Sequence, residues 1–187
     1  MYAPDHATWV EVPALANTLC GLSRPIHFRG VCTVVLKLFM LAQPSLAVFG
    51  EKDWQQLAII KKMVSDLNVP VEVVGRPIVR EADGLALSSR NVYLTPEERA
   101  QAPQIRKSLE MAAGLAAGGE RDAARIIEAV RGYLAEHLPT GEEDYISIVD
   151  PAVLTKVDRI EDMALCALAI RLGKARLIDN ILLKVGE

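Results

Sequence analysis

Aromatic residues are scarce in this chain, 5% of 187 residues. That scarcity excludes the aromatic-studded face on which single-stranded nucleic acid stacks. A formal net charge of −3 likewise removes any general electrostatic pull toward nucleic acid or an anionic membrane. Long apolar runs are also lacking. The longest, Val31 to Ala42, contains Lys37 and is too short to span a bilayer. Cysteine is limited to Cys20, Cys32 and Cys166, widely spaced, with no Cys-x-x-Cys pair and no histidine at ligand spacing. A disulfide framework and a structural zinc site are therefore excluded, and reduced, buried thiols are expected. Met1-Tyr2-Ala3-Pro4-Asp5-His6 has neither a basic region nor an apolar core, so no signal peptide is read and a soluble, cytoplasmic protein is expected.

What is present is apolar and aliphatic. Hydrophobic residues make up 51%, a helix-rich α/β composition rather than that of an all-β sandwich. The length suits one large domain or two small ones, with about 70% of the unfolded surface buried on folding.

Leu46 to Phe49 is a short strand-type run broken by Gly50, and an amphipathic helix begins near Asp53 with Leu57, Ile59, Ile60, Met63, Val64 and Leu67 as its apolar set. Val71 to Val74 supplies a second strand, completing a right-handed parallel unit. Upstream, Thr8 to Val12 alternates like an edge strand, Ala14 to Leu19 can make a turn or two of helix, Ser23 to Gly30 is loop-like, and a helix runs from Gly30 to Leu41 until Pro44. Pro77 marks a boundary. Ile78 to Arg90 is an extended segment passing into a polar loop. Thr95-Pro96-Glu97-Glu98 starts a helix that should run to Ala117, and a second helix spans Asp122 to His137. Tyr145 to Val149, Met163 to Leu172 and Ala175 to Val185 read as three strands, the last two a hairpin. The fold class expected is α/β: a partial Rossmann-like parallel-sheet domain over 1–78, then a smaller α+β domain over 79–187.

Two polar clusters carry the candidate chemistry. Gly50-Glu51-Lys52-Asp53 lies where a strand turns into a helix, a place whose backbone N–H groups and Lys52 charge suit a phosphate, although it matches neither the P-loop nor Gly-x-Gly-x-x-Gly. Ser88-Ser89-Arg90 sets two hydroxyls beside a guanidinium, a good anion clamp. By itself the first cluster reads better as a solvated surface charge, and the second equally well as a solvated loop.

Four blocks resemble the pantothenate synthetase family, ATP-dependent ligases joining pantoate to β-alanine. They are His27-Phe28-Arg29-Gly30-Val31, Phe49-Gly50-Glu51-Lys52-Asp53 with Gln55-Gln56, Asp83-Gly84-Leu85-Ala86-Leu87-Ser88-Ser89-Arg90-Asn91-x-Tyr93-Leu94, and Arg176-Leu177-Ile178-Asp179-Asn180. The resemblance implies a pantoyl-adenylate route with ATP, and with Mg²⁺ carried by its phosphates rather than by protein ligands. It implies that Lys52, Ser88, Ser89 and Arg90 hold the phosphates and that Gly50, Glu51 and Asp53 line the nucleotide site, with Asp53 accepting from ribose hydroxyls. Val79 and Leu87 would sit at adenine, and Gln56 would hydrogen-bond pantoate, the second domain acting as a lid. His27 and Arg29 are read as braces of a helix start, His6 and His137 as surface residues, and Asp179 and Asn180 as organisers of the C-terminal turn.

The sequence departs from the family in one large respect. The His-x-Gly-His-type motif and a second pantoate-binding glutamine are absent from it. A near-inactive chain is expected, one that forms a homodimer or higher oligomer to cover exposed sheet edges. The alternative is a non-catalytic nucleotide-binding or oligomerising remnant.

Overall fold

Between Ile26 and Pro44 the chain has no helix breaker except Gly30, and the computed structural model forms a sixteen-residue helix there, α3 (His27–Ala42). The structure describes residues 1–186. The chain divides into two units, Met1–Arg76 and a second from Pro77 onward.

In the first unit, two one-turn helices, α1 (Pro13–Ala16) and α2 (Cys20–Ser23), precede α3. Phe28, Cys32, Thr33 and Phe39 are the buried residues of α3. The helix stops at Gln43, whose left-handed conformation (φ 45°) lets its N–H reach Phe39 O just before Pro44. β1 (Leu46–Gly50) then leads through a 3₁₀ turn (Glu51–Asp53) into α4 (Trp54–Asp66) and on to β2 (Glu72–Arg76). The two strands pair in parallel, from Leu46 opposite Glu72 to Gly50 opposite Arg76. Leu57, Ile59, Ile60 and Met63 are the buried apolar residues of α4, each contributing about 2 kcal/mol of gross burial. Gly75 in β2 is required by packing, because a Cβ there would meet Leu57 Cδ2 at 2.8 Å and Glu51 Oε1 at 3.0 Å.

Several expectations are corrected here. Thr8 to Val12 is not a strand, because it finds no backbone partner for a ladder among the described residues. It is held by side chains instead: Val10 N–H donates to Thr33 Oγ1 (3.0 Å), and Arg29 pairs with Glu11 (3.4 Å) beneath the Trp9 ring. The helix expected from Gly30 begins at His27, directly after the Pro25 turn. Leu67 lies beyond the end of α4 and is half exposed rather than core. β1 runs through Gly50 rather than breaking at it.

The second unit opens on the polar loop and a 3₁₀ turn (Ser89–Tyr93). Thr95 then caps α5 (Pro96–Gln101) in a full capping box with Glu98. The long helix expected from here to Ala117 is interrupted at Pro103, which cannot supply the N–H that a continuous helix needs, and α6 (Gln104–Ala117) starts anew. Asp122 caps α7 (Ala123–His137) by accepting from the N–H groups of Ala124 and Arg125. β3 (Gly141–Val149), β4 (Met163–Leu172) and β5 (Ala175–Lys184) form an antiparallel sheet in that order. A bulge at Asp144 aims its carboxylate at Arg176 (2.6 Å). Ile105, Leu109 and Ala112 of α6 and Ile126, Val130 and Leu134 of α7 pack on one sheet face, where the alanines allow close approach. This mixture of a parallel pair and a separate antiparallel sheet is the α/β class expected. Among the described residues no helix is long and apolar enough to cross a membrane.

Candidate functional site

The 3₁₀ turn after β1 carries Glu51, Lys52 and Asp53. Gly50 has ordinary extended angles (φ −77°, ψ 136°), and no atom lies within 4 Å of where its Cβ would stand. Its value is therefore open space at the strand end, not special backbone freedom. Asp53 precedes α4 without capping it. Its side chain is exposed and makes no hydrogen bond among the described residues. Gln56 is half-buried, also with no hydrogen-bond partner among them. Its neighbour Gln55 is committed to the fold. Gln55 Nε2 donates to Leu15 O (2.8 Å) and Thr18 O (2.7 Å), and its Oε1 accepts from Cys20 N–H (3.0 Å). Sequence reasoning groups the two glutamines without seeing that one of them staples α1 and α2 to α4.

In the second unit, residues 79–87 fold back on themselves. Leu87 N–H donates to Val79 O (2.9 Å) and Glu81 N–H to Leu85 O (2.8 Å). The turn closes at Gly84, whose φ of +90° suits only glycine. Val79 and Leu87 are thus brought opposite each other, both well exposed. Ser88 Oγ accepts from Arg90 N–H (3.2 Å) as the 3₁₀ turn begins. Ser89 and Arg90 are exposed, and their side chains have no partner among the described residues. A guanidinium and a hydroxyl left unpaired on an ordered turn can take an anion.

Sequence reasoning missed what surrounds this turn. Arg80 grips Asp179 in a fork, Nη1 to Oδ2 at 2.7 Å and Nη2 to Oδ1 at 2.9 Å. Arg99 bridges Glu81 and Asp83, each at 2.6 Å. Asn91 Nδ2 donates to Glu81 Oε1 (2.7 Å) and to Ala86 O (3.2 Å). The Asn91 hydrogen bond, and then Arg99, hold the Glu81 carboxyl below its usual range, and Arg99 does the same for Asp83. Asp179 is correspondingly not an organiser of the C-terminal turn. It lies within β5, ninety-nine residues from Arg80 in sequence. The charge alternation Arg80-Glu81-x-Asp83 was the only local signal available.

His27 and Arg29 stand at the start of α3, where Arg29 pairs with Glu11 of the preceding segment rather than with an aspartate or the helix's own carbonyls. His6 is half-buried between the Tyr2 and Trp9 rings rather than on the surface. His137 is partly exposed beside Tyr133. Among the described residues no three His, Cys, Asp or Glu side chains gather at metal-binding distance.

The family model described as pantoate-beta-alanine ligase matches residues 1–182. The chain belongs to the pantoate-beta-alanine ligase family. A pantothenate synthetase of Nitratidesulfovibrio vulgaris (strain DSM 19637 / Miyazaki F) is 68% identical over all 187 residues, which span 66% of that relative's length. The crystal structure of pantothenate synthetase from Thermus thermophilus superposes with a TM-score of 0.92 at 46% identity, covering 97% of this chain and 65% of that one. A Francisella tularensis pantoate-beta-alanine ligase, complexed with β-γ ATP and β-alanine, gives a TM-score of 0.69 at 31% identity over 96% of this chain and 60% of that one. The chain therefore spans just under two thirds of the length of these family members.

Proposed function

We propose that these residues are the part of an AMP-forming pantoate–β-alanine ligase that supplies phosphate-binding and nucleotide-binding donors. The reading is carried by the ordered turn that presents Ser89 and Arg90 with no protein partner among the described residues. Family membership over residues 1–182 supports it, as does the related ligase complexed with β-γ ATP and β-alanine. In this reading the pantoate carboxylate attacks the α-phosphorus of ATP and expels pyrophosphate. The β-alanine amine then attacks the acyl carbon of the pantoyl adenylate, loses its proton and releases AMP. Positioning and charge neutralisation are the protein's share.

Lys52, Ser88, Ser89 and Arg90 would bind phosphate oxygens. Asp53 would accept from the ribose hydroxyls, and Gly50 and Glu51 would border the nucleotide. Val79 and Leu87 offer apolar surface for the base, and Gln56 an amide for pantoate. Mg²⁺ would be carried by the ATP phosphates. The 187 residues hold no His-x-Gly-His pair to neutralise charge at the α-phosphorus. Donors of that kind are worth about 2.7–4 kcal/mol each, so turnover by these residues alone is expected to be very slow.

Titration of ATP and of pyrophosphate into the chain tests the reading. Lys52→Ala and Arg90→Ala should each weaken binding by about tenfold to a hundredfold, the worth of one charge-assisted contact, with the circular dichroism unchanged. Unaltered affinity in both variants would overturn it. The second reading, a binding module without the reaction, predicts binding with no AMP release from pantoate, ATP and β-alanine.

A further inference from the structure

We infer that Arg80 is a positioning residue, which with Asp179 holds the 81–91 segment in the shape that presents Ser88, Ser89 and Arg90 to phosphate. This rests on the reading of those three residues as phosphate donors.

Asp179 is 3% exposed. By strand alternation it shares the face of β5 that carries Leu177 and Ile181, both part of the apolar core or packed against it. A lone carboxylate there would be among the costliest groups to bury. An apolar side chain at that point would serve stability as well or better, because desolvation of an ion pair offsets most of its attraction. What the pair adds is direction. A guanidinium fork meets a carboxylate in one plane and at one spacing.

Arg80 Nη1 also donates to Gly84 O at 3.0 Å, so the same head group fixes the turn. From there the ties continue without using the phosphate donors themselves. Gly84 N–H reaches Glu81 O (2.9 Å), and Leu85 N–H reaches Asp83 Oδ1 (3.2 Å). Glu81 then holds Asn91, whose amide also grips Ala86 O. Ser88, Ser89 and Arg90 are consequently suspended between two fixed points, Ala86 and Asn91. The side chains of Ser89 and Arg90 take no part in the ordering. Donors ordered by other residues lose little freedom when the ligand arrives, which is how preorganisation raises affinity.

The test separates stability from positioning. Asp179→Ala strands Arg80 and should destabilise the second unit. Arg80→Met/Asp179→Leu removes both charges at similar volume and should return the urea midpoint close to that of the parent. In that double variant, amide exchange at Gly84, Leu85, Leu87 and Asn91 should still run at least about tenfold faster. The pyrophosphate Kd should rise by about tenfold or more. Arg80→Lys, which keeps charge without the fork, should rescue neither fully. A double variant with restored midpoint, parental exchange and parental Kd would overturn the inference, showing a purely structural pair. Should the double variant not fold, Asp179→Asn carries the same measurements, because its single carbonyl cannot complete the fork. If pyrophosphate fails to bind the parent chain, the phosphate reading falls, whereas the exchange measurement, which needs no ligand, still decides whether Arg80 orders the segment.

Discussion

Replacing Gln55 should unfold the first unit selectively, and the structure gives the size of the effect. Its side chain is 5% exposed and answers three backbone groups of the α1–α2 segment: two carbonyls and one N–H. Gln55→Leu keeps the volume and the helix propensity but removes all three bonds and takes from the Cys20 N–H its Gln55 acceptor. Leu15 O keeps Thr18 Oγ1 (3.2 Å), and Thr18 O keeps the Gly21 N–H (2.8 Å). A lost bond to a carbonyl that stays satisfied costs about 0.5–1.5 kcal/mol, and the part-exposed Cys20 N–H about 1 kcal/mol. The total is about 2–4 kcal/mol. A unit of this size rarely holds more than about 3–5 kcal/mol, so the variant should keep little stability without denaturant.

Both tryptophans, Trp9 and Trp54, lie in this unit, which makes tryptophan emission in urea the assay for it alone. With a slope of about 1 kcal/mol per molar urea, a loss of about 3 kcal/mol moves the midpoint by about 3 M. Gln56→Leu is the control. It sits one residue along the same helix with no hydrogen-bond partner among the described residues, and should shift stability by no more than about 0.5 kcal/mol. If Gln55→Leu moves the tryptophan midpoint no further than Gln56→Leu does, the three bonds do not hold the unit together and the reasoning fails.

Gly50→Ala should leave the urea midpoint within about 0.5 kcal/mol, since the added methyl meets nothing. It should still weaken ATP binding measurably in titration if the nucleotide approaches that strand end. The thiols should differ in reactivity: burial pushes Cys32 up to about 11 and Cys166 to about 12, so at pH 8 only the half-buried Cys20 should react quickly with a disulfide reagent. The same shifts favour the neutral thiol in the fold. Their contribution is complete below pH 9.0 and drains as pH rises toward 11 for Cys32 and 12 for Cys166; urea midpoints against pH, flattened in Cys32→Ala, check this. Finally, light scattering at micromolar concentration should show a dimer or larger species, and a clean monomer would count against self-association of the first unit.

What the sequence made legible was local. The Thr95 capping box, the Asp122 cap and the hairpin across Gly173 each announce themselves within a few residues, and all three form where expected. The β1–α4–β2 crossover was readable because a period of 3.6 between two short apolar runs admits few alternatives. Failures came where a decisive partner lay far along the chain or where one residue outvoted a pattern. Thr8 to Val12 alternates like a strand, but it joins no ladder among the described residues, and Thr33 took the Val10 N–H instead. Pro103 was overlooked inside a long helical pattern. Asp179 looked like a turn residue only because Arg80, ninety-nine residues earlier, does not show in any local window. The candidate site divides the same way: Lys52 and Ser88 to Arg90 were visible as clusters of donors, and the clasp that orders the second cluster was not.

One mismatch between composition and structure bears on self-association. Leu-Ala-Val-Phe in β1 has no apolar–polar alternation, the pattern of a parallel strand covered on both faces. In the structure Leu46 and Val48 are 49% and 56% exposed, and Leu38, Met40 and Leu41 of α3 are exposed in the same unit. Scattered exposed leucines need no explanation. A strand whose residues of one parity are all apolar and all open does, because each such position forgoes about 2 kcal/mol of available burial while presenting pairing groups at a sheet of only two strands. Inside the described first unit those residues stay about half exposed. The prediction of self-association rests on these side chains: a second copy, always present at equal concentration, would supply the burial they are suited to.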